Sequence, residues 1–247
     1  MEGEKRHEED LQNVSEQAER KYNFELMEKI EPAMTSLVEQ LKSGIEVGEY
    51  SALLGDDTKG RLPTLVLSKI FRKEGPPDLD GKPKTFFLAA GRQFAYMVGH
   101  DSVKKHLESM DFGNKKLLIV TDFIDSGDTL KGIAYELNRA GVHKFDFAAL
   151  YAGDLADDYF KDAVQELNLE SKSNNPAEAH NYFLGELKEE PYFLPQLRDL
   201  SGVKKTEDSL TAKKSLENTE DMKKSREDIN LMAERIMKQV WEEKSND

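Results

Sequence analysis

Lys116-Leu-Leu-Ile-Val-Thr-Asp-Phe-Ile-Asp-Ser-Gly-Asp-Thr129 is the stretch whose reading decides the fold. Four successive apolar residues, Leu117 to Val120, have the length and composition of a strand covered on both faces. Acids follow at Asp122 and Asp125, and beyond the turn Leu130, Ile133, Ala134 and Leu137 fall three and four apart, the spacing of a helix with one buried face. Between strand and helix lies Ser126-Gly127-Asp128-Thr129. Its hydroxyls suit a helix start, and Gly127 lets backbone N–H groups approach a ligand closely. N–H groups at such an end, with the helix dipole behind them, favour a phosphate. The two carboxylates upstream are placed to face sugar hydroxyls or a magnesium ion. An ordinary strand, polar turn and helix with no ligand also fits these residues.

Working outward, a second unit of similar shape precedes the first. Glu49 to Leu54 reads as a short strand, Gly55-Asp-Asp-Thr-Lys-Gly-Arg61 as a polar turn, and Leu62-Pro63 as the opening of a helix that carries Leu65, Val66, Ile70 and Phe71. The Pro- and Gly-rich stretch 74–84 is a loop, Thr85 to Ala90 a strand ending at Gly91-Arg92, and 101–110 a helix. Downstream, Ala140-Gly141 closes the central helix and Lys144 to Tyr151 reads as a fourth strand. Strand–helix alternation with short connections predicts an α/β fold with a parallel sheet and crossover helices. Ligands on such sheets gather at the C-terminal ends of strands, where both polar turns fall.

The central stretch resembles the phosphoribosyl pyrophosphate (PRPP) signature of type I phosphoribosyltransferases: four apolar residues, two acids, two apolar residues, a position often occupied by Asp, then Thr/Ser-Gly-x-Thr. Thr121 stands where the first of the paired acids usually is. The resemblance spans roughly residues 48–153 and implies a Rossmann-like, phosphoribosyltransferase-like core. It implies that Asp122 binds ribose hydroxyls and, indirectly, Mg2+, and that Ser126, Gly127, Asp128 and Thr129 hold the 5′-phosphate. Asp125 belongs to the same PRPP-binding set and stands where purine-using members carry their general base. The turn Asp56, Asp57, Thr58, Lys59, Gly60 and Arg61 matches the loop that holds pyrophosphate: Lys59 and Arg61 would neutralise it, while Asp56 and Asp57 would repel it unless Mg2+ lies between. The same turn also reads as Asp side chains bonding their own backbone. Arg92 is a further candidate pyrophosphate contact, or else a surface ion-pair residue. Residues 92–114 are the room for a lid. Tyr151-Ala-Gly-Asp154 replaces the lysine with which purine-salvage members read the base, so the acceptor is not carried over.

Composition sets the outer bounds. A chain of 247 residues can bury a real core, and 34% charged residues point to solvated appendages. A formal net charge of −13 opposes binding to nucleic acid or an anionic membrane surface. No cysteine is present, which removes disulfides and thiol nucleophiles and fits a reducing compartment. Neither a signal-peptide core nor a membrane-length apolar run occurs, so a cytoplasmic location is expected. The five histidines are scattered without zinc-ligand spacing, and no Walker, Gly-x-Ser-x-Gly or Gly-x-Gly-x-x-Gly motif appears.

Three regions are expected: a charged lead-in over 1–22, a phosphoribosyltransferase-like domain over 23–200, and a charged helical extension over 201–247. The domain opens with a helix from Phe24 to Leu41 and ends with an aromatic segment, 177–200, that reads as a base-contacting hood or as plain core. A helix is expected over 155–170. Ile229, Met232, Ile236 and Val240 share one helical face, which packs on the domain, on a partner protein or on a second copy. Three readings fit: an enzyme that transfers the phosphoribosyl group to a nitrogenous acceptor with release of pyrophosphate, a non-catalytic member that senses PRPP or nucleotides, or an unrelated doubly wound domain whose two loops bind another phosphorylated ligand.

Overall fold

Apolar runs in the strands and one-sided apolar spacing in the helices leave each sheet face to be covered by helices. The computed structural model describes residues 20–76, 82–88, 100–124, 127–153, 162, 165, 180–186, 200, 203–204, 213–214 and 219–242. The elements run α1 (Glu25–Glu46), β1 (Tyr50–Asp56), α2 (Asp57–Glu74), β2 (Lys84–Leu88), α3 (His100–Glu108), β3 (Lys116–Ile124), α4 (Asp128–Arg139), β4 (Phe145–Ala152) and β5 (Tyr182–Leu184). A two-residue ribbon of β6 (Val203–Lys204) and β7 (Lys213–Lys214) follows, then α5 (Thr219–Met237), which ends in a π-turn over Lys238–Glu242.

Five strands make one sheet in the order β2-β1-β3-β4-β5, and every pairing is parallel. Alternation along the strands sorts the core into two layers. Leu53, Leu118, Val120, Ala148 and Leu150 pack under α1, α2 and α5. Ala52, Leu54, Leu117, Ile119, Phe145 and Phe147 pack under α3 and α4. The sheet is thus covered on both faces, the architecture of an α/β doubly wound domain.

Two boundaries differ from the sequence reading. The turn expected at 55–61 is instead the end of β1 and the first turn of α2, which starts at Asp57 and carries Pro63 in its interior. Tyr182 to Leu184, read within the aromatic segment, is an edge strand with Tyr182 beside Phe147 and Leu184 beside Ala149. The rest of that segment from 187 to 199, the lead-in 1–19 and nearly all of the helix expected over 155–170 lie outside the described residues.

The apolar face of α5 is used within the chain. Ile229, Met232, Ile236 and Val240 are buried in the layer formed with α1 and α2. Asp228 fixes the junction, since its carboxylate accepts from the backbone N–H of Asn23 at 2.9 Å and of Phe24 at 3.0 Å, where α1 begins. A carboxylate there also complements the helix dipole. No helix among the described residues is long and apolar enough to cross a membrane.

The N-terminal rim of the sheet is tied by a buried polar cluster. Asp146, fully buried at the start of β4, accepts from Tyr50 Oη at 2.7 Å and from the Asn181 N–H at 2.8 Å, and pairs with Lys116 Nζ at 3.1 Å. Burial first, and then the adjacent Asp146 carboxylate, push the Tyr50 hydroxyl far above its ordinary titration range. Lys116 also reaches Glu49 at 3.0 Å; burial opposes its charge, but the two carboxylates win and raise its pKa. The cluster joins the first residues of β1, β3 and β4 to the residue before β5.

Candidate functional site

Parallel strands place all their C-terminal ends on one rim. In the order 2-1-3-4-5 the chain leaves β1 and β3 toward opposite faces, and the crevice between those two exits is where ligands of such folds bind. The two stretches singled out in the sequence end on these two strands. Gly55 of β1 stands in register with Val120 of β3, so Asp56 finishes β1 beside the part of β3 that carries Thr121, and β3 runs on to Ile124.

On the β1 side, Asp56 is buried and its backbone is in register with Leu88 of β2. The next residue already opens α2, and among the described residues no side-chain bond caps that helix start. The two glycines of this region serve chain packing. A β-carbon on Gly55 would lie 2.7 Å from Thr64 Oγ1 and 2.8 Å from the Phe87 ring, and one on Gly60 would lie 2.0 Å from the Val120 carbonyl oxygen. Gly60 thereby lets the first turn of α2 settle directly onto β3. Arg61 lays its guanidinium 4.1 Å from the centre of the Phe87 ring. The side chains of Asp57, Thr58 and Lys59 lie outside the described residues, although their backbone is helical.

On the β3 side, Thr121 and Asp122 are both buried, Asp122 completely. Gly127 is the N-cap of α4 with φ 72°, a left-handed conformation that favours glycine, and among the described residues no side-chain bond caps this helix either. The Lys131 N–H donates to the Gly127 carbonyl at 2.9 Å and begins the helical ladder. The N–H groups ahead of it have no acceptor within the helix. Asp128 and Thr129 are half-buried beside them. Asp125, Ser126 and Arg92 lie outside the described residues.

One feature of the rim was not read from the sequence. Phe123 and Tyr151 are register partners at the ends of β3 and β4, and their rings stack at 5.7 Å with planes 8° apart. Just beyond them the Gly153 N–H donates to the Ile124 carbonyl at 3.1 Å, prolonging the pairing to the edge of the crevice. The two half-buried rings form an aromatic shelf packed on the core layer under α1, α2 and α5. Nothing short of the strand register would have revealed it.

Among the described residues no group of three or more His, Cys, Asp or Glu side chains is disposed to hold a metal ion. Magnesium carried in by substrate phosphates needs only one or two protein carboxylates. Asp56 is the last residue of β1 and Asp122 lies within β3, and both are buried. The chain matches no protein-family model and no curated protein in sequence, so the site is read from its own residues.

Proposed function

We propose that the chain is a type I phosphoribosyltransferase-like protein that binds PRPP with Mg2+ across the ends of β1 and β3. One observation supports this reading above the rest: α2 and α4 both begin at that rim, from neighbouring strands, and among the described residues neither start has a side-chain capping bond. Two helix N-termini on one crevice suit a ligand with a phosphate group at each end of a sugar. In this reading α4, through Gly127, Asp128, Thr129 and Ser126, takes the 5′-phosphate. The start of α2 takes the pyrophosphate, with Lys59, Arg61 and Arg92 as counter-charges. Mg2+ would supply the positive charge that lets the diphosphate lie beside Asp56 and Asp57.

Transfer then requires little covalent chemistry from the protein. The bond from the anomeric carbon to the pyrophosphate oxygen breaks while a bond to the acceptor nitrogen forms, and positive charge grows on the sugar. Holding the ends of the ligand and stabilising the departing diphosphate is the main work. Asp122 faces the ribose hydroxyls, which, because its carboxylate is enclosed, requires the chain around it to open on binding. Asp125 accepts the proton that leaves the acceptor nitrogen. The Phe123–Tyr151 shelf supports a planar acceptor.

A non-catalytic PRPP or nucleotide sensor is the second reading. It is favoured by Thr121, a buried residue with no charge where an acid usually stands, and by the enclosure of Asp122. Isotope-labelled PRPP separates the two, titrated with and without Mg2+ and followed by pyrophosphate assays over a panel of purine, pyrimidine and pyridine acceptors. Magnesium-dependent pyrophosphate release with one acceptor supports the enzyme. Binding without turnover on the whole panel supports the sensor, and no binding removes both.

A further inference from the structure

A cleft lies on the other rim. Its volume is about 260 Å3, and it opens between the start of β1, the end of α2, the start of β2 and the turn before β3. Buried Tyr50 and Phe71 contribute apolar wall, meeting edge to face at 5.9 Å. Among the described residues, the lining includes Arg72, Lys82, Lys84 and Lys115 against one carboxylate, Asp111, four positive charges to one negative in a chain whose net charge is −13.

The cations are not equally engaged. Lys84 pairs with Asp111, whose carboxyl is held below the usual range by that hydrogen bond. Lys115 Nζ donates to the Gly48 carbonyl at 2.7 Å. Arg72 and Lys82, both exposed, form no hydrogen bond or ion pair with the described residues. A net positive concavity with apolar walls is out of keeping with an acidic surface and is the arrangement that recognises an organic anion.

We infer that this cleft is a second ligand site, distinct from the crevice at the ends of β1 and β3, for a small phosphorylated organic molecule of sugar-phosphate to nucleoside-monophosphate size. The volume sits just under the usual range for drug-sized ligands, roughly 300–1,000 Å3. Several cations suit a phosphate dianion better than a single carboxylate, with Arg72 able to donate two parallel bonds. The apolar wall of Tyr50 and Phe71 receives the sugar or ring. The site is independent of the phosphoribosyltransferase reading, since it shares no residue with that crevice.

The test is an amide NMR titration of the full chain with adenosine 5′-monophosphate, with adenosine and inorganic phosphate run separately. The nucleotide is expected to shift the amides of 48–51, 72 and 113–115, adenosine to leave them still, and phosphate to move them only weakly. The R72E/K82E variant, which alters exposed side chains and leaves the core untouched, should bind the nucleotide about tenfold or more weakly at this cleft, which is at least about 1.4 kcal/mol. A second charge reversal, Lys115→Glu, gives an independent check. Shifts confined to 127–130, no shifts at 48–51 and 113–115, or shifts there that survive both reversals would overturn the proposal. The first of those outcomes would leave the phosphoribosyl reading standing, so the two fail separately.

Discussion

Gly60 lies so close to Val120 that a β-carbon added to it would fall 2.0 Å from the Val120 carbonyl oxygen. This contact seats the first turn of α2 on β3 and brings the start of that helix to the crevice. Gly60→Ala must therefore push the helix off the strand, because a backbone oxygen cannot swing aside as a flexible side chain would. Overpacking of this kind costs about 1–3 kcal/mol or more, and a lower urea midpoint is expected. Gly132→Ala is the matched control: nothing lies within 4 Å of its added carbon, and it sits inside α4. That substitution should raise stability by roughly 0.5–1 kcal/mol. If the two variants unfold at the same urea concentration, the packing role of Gly60 is wrong.

Asp146 is the acceptor on which the N-terminal rim depends. Asp146→Ala leaves a largely buried Lys116 with Glu49 as its one remaining carboxylate partner and removes the partner of Tyr50. Breaking a buried pair from one side costs about 3–5 kcal/mol. Asp146→Asn keeps one oxygen for the Asn181 N–H and turns its NH2, a donor, toward the Tyr50 hydroxyl, which can accept, so it should cost clearly less. Chemical denaturation of the two variants checks the order; equal losses would mean that charge, and not hydrogen bonding, carries the whole effect.

The legible parts of the fold are those in which neighbouring residues act together. Leu117 to Val120, followed by Leu130, Ile133, Ala134 and Leu137, announces β3 and α4 because each pattern is local. The start of α2 was hidden. Asp56, Asp57 and Gly60 have turn chemistry, and the reason a glycine is needed at 60 is a carbonyl on Val120, far along the chain. Tyr182 to Leu184 is too short to show strand periodicity, and its pairing with β4 depends on neighbours distant in sequence. The same holds for Phe123 beside Tyr151 and for Tyr50 beside Asp146. Both sequence-picked stretches reached the same rim because parallel topology sends every strand end there.

His180 gives the fold a pH dependence with a definite sign. It is buried, stacks on Phe145 at 4.1 Å and bonds through Nδ1 to the Phe145 carbonyl at 2.7 Å, so a neutral ring donates there. Burial is the main cause that lowers its pKa, with the Phe145 bond opposing. The unfolded chain, with an ordinary histidine near 6.5, then binds the proton more readily than the folded one. The contribution is fully present above about pH 6.5 and is lost as pH falls from there through the lower folded value. His106, also lowered by burial, adds in the same direction. Denaturant midpoints at pH 7 and pH 5 should show the drop, and His180→Gln should reduce it without abolishing it. An unchanged slope would sink this assignment.

Asp125 is assigned a proton-transfer role from its place in the motif. Asp125→Asn should abolish phosphoribosyl transfer while leaving PRPP binding within a few fold of the parent, because the amide keeps the shape and loses the base. Pyrophosphate release and equilibrium dialysis read the two effects separately. Full activity in this variant would remove Asp125 from the chemistry.

The claim on which the account rests is that the starts of α2 and α4 hold opposite ends of one phosphoribosyl ligand. A crystal structure of the full chain soaked with PRPP and Mg2+ tests it most directly. The account expects the 5′-phosphate within hydrogen-bond distance of the Thr129 and Leu130 N–H groups and the pyrophosphate at the first turn of α2. Ligand density anywhere other than across the ends of β1 and β3, or none under conditions that saturate binding in solution, would contradict it.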